Sequence, residues 1–136
     1  MQIHTLETLI SEYLRHVDDA TELLKRSFGT KNIHGLWRSN KIPRRGTVID
    51  DVTYELHGIG CCVCLSGLYI DFDYGPDDRV DGFDLWRLYI YACELPQKYK
   101  KYTDKEYLAH ELGEYLKLGK AKKIPGSMSN LYFIQS

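Results

Sequence analysis

The sequence predicts an α+β fold: about three helices packed on a small antiparallel sheet built around a hairpin, residues 52–65 and 68–74. Three observations carry this. Leu6, Leu9, Ile10, Tyr13, Leu14, Val17, Ala20 and Leu24 recur at helical spacing. Residues 52–74 alternate apolar and polar side chains between glycine-containing breaks. Residues 82–95 then return to a helical period, dense in aromatic and aliphatic side chains. With 136 residues, 43% hydrophobic and 27% charged, residues 1–136 fit a single domain whose core needs neither disulfides nor metals.

Residues 5–27 form the first helix, with Glu7, Glu12, Arg15, Asp19 and Glu22 on its polar side and Gly29 placed to end it. It is expected to lie across the core as a lid. Residues 30–47 contain Gly35, Pro43, Gly46 and scattered Lys and Arg, which predicts a basic loop anchored in part by Trp37. In residues 52–74, Val52, Tyr54 and Leu56 alternate with Thr53, Glu55 and His57. Gly58, Ile59 and Gly60 interrupt as a bulge, and Ser66 with Gly67 makes the hairpin turn. On the returning strand Leu68, Ile70, Phe72 and Tyr74 share one face, and Tyr69, Asp71 and Asp73 the other.

Residues 82–95 read as a buried central helix. One stripe holds Phe83, Trp86, Tyr89, Ile90 and Cys93, and a second holds Leu85, Leu88, Ala92 and Leu95, leaving Arg87, Tyr91 and Glu94 for water. Asp81 is its expected N-cap, with Asp84 in the capping-box position and Pro96 past its end. The helix over 104–118 is expected to start on a capping box of Thr103 and Glu106, to stop at Gly119, and to turn Leu108, Leu112, Tyr115 and Leu116 inward. Residues 120–136 form a basic, turn-like tail, read as native chain, with a short edge strand at 131–134.

Charge bounds the function. A net charge of −1 excludes a generally basic nucleic-acid binder. Locally the balance is uneven: across residues 50–94 the only Lys or Arg are Arg79 and Arg87, among many carboxylates. The first apolar run is broken by Glu7, Glu12 and Arg15, and nothing approaches the roughly 20 apolar residues of a membrane span, so a cytoplasmic location without membrane contact is expected. Cys61, Cys62, Cys64 and Cys93 suit buried thiols in a reducing compartment.

Several motifs fail on geometry. Cys61 and Cys64 form a literal C-x-x-C, but residues three apart on a strand face opposite ways and cannot share one ion. A calcium loop numbered from Asp71 puts Pro76 where glycine belongs and Gly82 where the bidentate Glu belongs. His110 and Glu111 begin a zincin helix, but Glu114 replaces its second His. No cofactor and no metal are therefore expected. One acid–base arrangement survives as an alternative: His57 converging with Asp71 or Asp73 across the hairpin, since facing residues of neighbouring strands lie within about 5.5 Å at Cβ. Another alternative, single-stranded nucleic-acid binding, would use Trp37 with Arg38, Lys41, Arg44 and Arg45, although chain-wide neutrality weighs against it.

Three ordered motifs span residues 50–95: His57-Gly58-Ile59-Gly60-Cys61, then Ile70-Asp71-Phe72-Asp73-Tyr74-Gly75, then Gly82-Phe83-Asp84-Leu85-Trp86-Arg87-Leu88. Together they resemble an uncharacterised family of small bacterial domains with an H-G-x-G-C turn, a D-F-D-F-G-like strand end and a G-F-D-x-W-R-L helix start. Tyr74 stands where that pattern has its second Phe. Such small domains are similar to immunity proteins of bacterial toxin systems, which bind a cognate toxin inside the producing cell. The resemblance implies a protein partner, a toxin and most naturally a nuclease. Its basic cleft would be occluded by an acidic surface of Tyr69, Asp71, Asp73, Asp77, Asp78, Asp81 and Asp84.

Overall fold

The structure is a computed structural model, and it describes residues 4–39, 41–48, 51–75, 78–126 and 131–135. The fold is α+β, with four α-helices and a four-stranded antiparallel sheet among these residues. No helix among them is long and apolar enough to cross a membrane.

α1 (Leu6–Phe28) starts where Thr5 and Thr8 cap each other reciprocally and ends at Gly29, whose left-handed φ of 65° suits a residue without Cβ. Its expected apolar stripe is the one that is buried, with Leu9, Ile10, Tyr13, Val17, Ala20 and Leu24 fully enclosed. Residues 30–47 are more ordered than a basic loop. Asn32 caps a short helix, α2 (Ile33–Arg38), and Arg45–Thr47 is strand β1. The reason is long-range: the Asp78 carboxylate accepts the backbone N–H groups of Ile33 at 2.7 Å and His34 at 2.8 Å, giving α2 a second cap from 44 residues away.

The sheet order is β1-β2-β3-β4, with β2 (Thr53–Leu56), β3 (Gly60–Leu65) and β4 (Leu68–Asp73). Residues 57–59 make a turn between two strands, not a bulge within one. The His57 N–H donates to the Gly60 carbonyl at 2.8 Å, which folds β3 back on β2. Ser66 and Gly67, with φ of 53° and 79°, form the expected hairpin turn. Tyr54, Leu56, Cys61, Val63, Ile70 and Phe72 point into the core. α1 packs against β4 and the other helices, and its Tyr13 hydroxyl donates to the Asp71 carbonyl at 2.9 Å.

The central helix differs most from expectation. α3 spans Leu85–Glu94, and its N-cap is Asp84, whose carboxylate accepts from the Arg87 N–H at 2.7 Å, so Asp81 does not cap it. Phe83 lies before the helix, bridged to Tyr132 by two backbone hydrogen bonds of 2.8 Å. The burial is also turned: Leu88, Tyr91 and Ala92 are inside, while Trp86 and Cys93 are exposed. Tyr91, which helical spacing assigns to water, is buried edge-on to Tyr13, with its hydroxyl at His16 Nδ1. A tyrosine is stable inside when its polar tip finds a partner, and periodicity does not reveal partners.

After a 3₁₀ turn at Lys100–Thr103 comes α4 (Lys105–Lys117), which closes the core with Leu108, Leu112 and Tyr115. Asp104 caps it, accepting from the Glu106 and Tyr107 N–H groups, while the Thr103 hydroxyl donates to the Lys100 carbonyl instead of forming the expected capping box. β5 (Ala121–Lys123) and β6 (Tyr132–Ile134) make a separate two-stranded ribbon.

Candidate functional site

Strand alternation gives the four-stranded sheet a second, outward face. In one cross-strand row Arg45, Glu55, Cys62 and Asp71 stand side by side from β1 to β4. The next row is Thr47, Thr53, Cys64 and Tyr69. Trp86 and Arg87, from the first turn of α3, complete a groove of about 770 Å³ over these rows.

Arg87 organises one end. Its guanidinium donates to Asp73 at 2.6 Å, and its Nε lies 3.6 Å from Asp71. Asp73 is buried, with space for its carboxylate coming from Gly60 opposite: a Cβ there would lie 2.9 Å from Asp73 Oδ1 and 3.0 Å from the Phe72 carbonyl. Burial alone would lower the Arg87 pKa, but Asp71, Asp73 and Asp84 together hold it above its ordinary value. Burial pushes the Asp71 and Asp84 carboxyls above the usual carboxylate range despite Arg87 nearby. One guanidinium thus answers three carboxylates.

At the middle of the groove the Tyr69 hydroxyl donates to Cys62 Sγ at 2.9 Å, and the thiol lies 3.6 Å from Asp71 Oδ1. Burial pushes the Cys62 thiol up to about 11, so at neutral pH it is a protonated thiol and not a nucleophilic thiolate. His57 is exposed; its Nε2 is 3.4 Å from Cys62 Sγ and 3.8 Å from Glu55 Oε1. The carboxylate within ion-pair distance of the imidazole is therefore Glu55, while Arg87 pairs with Asp73 and stands 3.6 Å from Asp71. Among the described residues, no group of three or more His, Cys, Asp and Glu side chains is placed to hold a metal ion.

The expected acidic surface is divided among several tasks. Tyr69 and Asp71 line the groove, and Asp73 lies behind it under Arg87. Asp84 caps α3 and borders a second groove, of about 460 Å³, between α3 and α4. Asp78 caps α2. Asp81 pairs with Arg79 and lines a separate groove beside Leu14 and Ile134. Asp77 lies outside the described residues. Trp37, proposed for base stacking, is half-buried in α2 with the Arg44 guanidinium 5.4 Å from its ring.

The residues that sequence reasoning missed are Glu55, Cys62, Trp86 and Arg87. Trp86 is 47% exposed and lines both the outer-face groove and the α3–α4 groove, whose apolar wall includes Leu85, Ala109, Leu112 and Leu116. Lys105 Nζ sits 4.9 Å from the centroid of its ring. The signal for Trp86 was in the sequence: a helix apolar round most of its circumference carries more apolar side chains than one core can cover. Arg87 left a fainter one, two carboxylates at alternate positions of a strand that need a cation.

A family model described as "Domain of unknown function (DUF6896)" matches residues 6–134. No curated protein and no solved structure matches the chain.

Proposed function

The chain belongs to that family, and we propose that it is a protein-binding immunity protein of the cytoplasm, neutralising a cognate bacterial toxin by seating it on the outward face of the sheet. The observation that carries the reading is Trp86, a large apolar side chain 47% exposed on the ridge between two grooves. Indoles are enriched among the side chains that anchor protein interfaces. Tyr69, 37% exposed in the same groove, adds a second aromatic contact.

A basic partner, such as a nuclease with a cationic cleft, would meet the carboxylates of Glu55 and Asp71 on the groove floor, beside Arg45 and Arg87. This surface is smaller than the acidic surface expected from the sequence, because Asp78 and Asp81 already have internal partners. The acid–base alternative has less support, since His57 meets Glu55 and a protonated thiol.

The test is co-expression with any toxin domain that a neighbouring gene encodes. The wild-type chain is expected to restore growth, and Trp86→Ala to fail while remaining folded by circular dichroism. Equal protection by both chains, or none by the wild type, contradicts the reading.

A further inference from the structure

Resting on that binding role, we infer that the outer-face groove contains a subsite for one arginine side chain of the partner, held between Trp86 and Tyr69 with its guanidinium on Glu55 and Asp71. Both aromatic side chains line the groove, and both are exposed in the free protein. The Trp86 ring already draws one cation, because Lys105 Nζ lies 4.9 Å from its centroid on the α3–α4 side. On the sheet side the same indole borders the groove.

The groove floor supplies the acceptors. Glu55 and Asp71 flank Cys62 from the two neighbouring strands, in one cross-strand row. Asp71 Oδ1 reaches to 3.6 Å from Cys62 Sγ, and Glu55 Oε1 lies 3.8 Å from His57 Nε2, which is itself 3.4 Å from that sulfur. The cations already facing the floor are Arg87 and Arg45. Arg87 makes its closest contact, 2.6 Å, with Asp73, and stands 3.6 Å from Asp71. Arg45 is 80% exposed and 3.6 Å from Glu55, a loose rim contact that an incoming cation can replace.

Arginine fits better than lysine for two reasons. Its planar fork donates to two carboxylates at once, and it is weakly hydrated and stacks on aromatic faces. The groove volume of about 770 Å³ admits such a side chain together with its flanking backbone.

The experiment is a nuclear magnetic resonance titration of the full chain with acetyl-Gly-Arg-Gly-amide, and with the same peptide carrying neutral citrulline in place of arginine. The arginine peptide is expected to give saturable shifts at the Trp86 indole N–H and the Tyr69 ring, and the citrulline peptide none. Glu55→Gln, at a half-exposed position, is expected to weaken binding about tenfold; Asp71→Asn serves as the second variant. Equal shifts with citrulline, or binding unchanged in Glu55→Gln, overturn the subsite. A toxin neutralised by a chain that gives no peptide shift also overturns the subsite, while leaving the immunity role standing. Peptide shifts that respond to Glu55→Gln support the subsite even if the immunity role fails.

Discussion

α1 and α3 both announce themselves in the sequence as apolar helices, and they use that character differently. α1 carries one apolar stripe and buries it from Leu6 through Leu24, with Leu14 alone half-buried at its edge. α3 is apolar on most of its circumference, yet it buries Leu88, Tyr91 and Ala92 and leaves Trp86 at the surface. It lies beside β4 with α1 and α4 as neighbours, and its first turn reaches past them to the outward face of the sheet through Trp86 and Arg87. Where a helix has more apolar surface than neighbours to cover it, the surplus marks a face free for something else.

Substitutions in the two helices sharpen or break that contrast. The largest loss of stability is expected from Arg87→Ala, which leaves Asp73 buried without its cation and should lower the unfolding free energy by about 3–5 kcal/mol in urea titration. Leu9→Ala in α1 empties a fully buried site and is expected to lose about 2–5 kcal/mol. Asp84→Ala removes the cap of α3, for a loss of about 1 kcal/mol, and should lower the melting temperature by a few degrees.

Burial of His16, which meets Tyr91 where the two helices touch, is expected to make stability depend on pH. Burial holds His16 below its ordinary value of 6.5, and Arg15 adds to that shift while Glu12 and Asp19 oppose it. The unfolded chain then binds this proton more readily than the folded one. Stability that is full above pH 6.5 therefore declines as pH falls through that value. The urea midpoint should drop between about pH 7.5 and about pH 5.5, and His16→Gln should flatten the drop. An unchanged midpoint would mean that the α1–α3 contact carries no such linkage.

What the sequence made legible follows from how local each feature is. The boundaries of α1, the Ser66-Gly67 turn and the two faces of β4 rest on spacing and on residues a few positions apart, and these agree with the structure. Features that need a distant partner did not show. α2 owes a cap to Asp78, the start of α3 is displaced by the bridge of Phe83 to Tyr132, and Tyr91 is buried with its hydroxyl against His16 Nδ1 and the Glu12 carbonyl. The site divides the same way. Tyr69 and Asp71 were visible on the outward face by alternation, but Glu55 and Cys62 enter it only once the register of β2, β3 and β4 is fixed. Trp86 changed role entirely, since a helical period assigns residues to faces without saying which faces have neighbours.

The most direct test of Trp86 as a binding residue pairs two readings on one variant. Calorimetric titration of a partner domain recovered by the co-expression test into wild type and Trp86→Ala, with thermal unfolding of each free chain, separates binding from folding. The expected result is affinity weakened by about thirtyfold or more, with unfolding free energy changed by less than about 1 kcal/mol. Unchanged affinity in a folded Trp86→Ala chain would contradict the account.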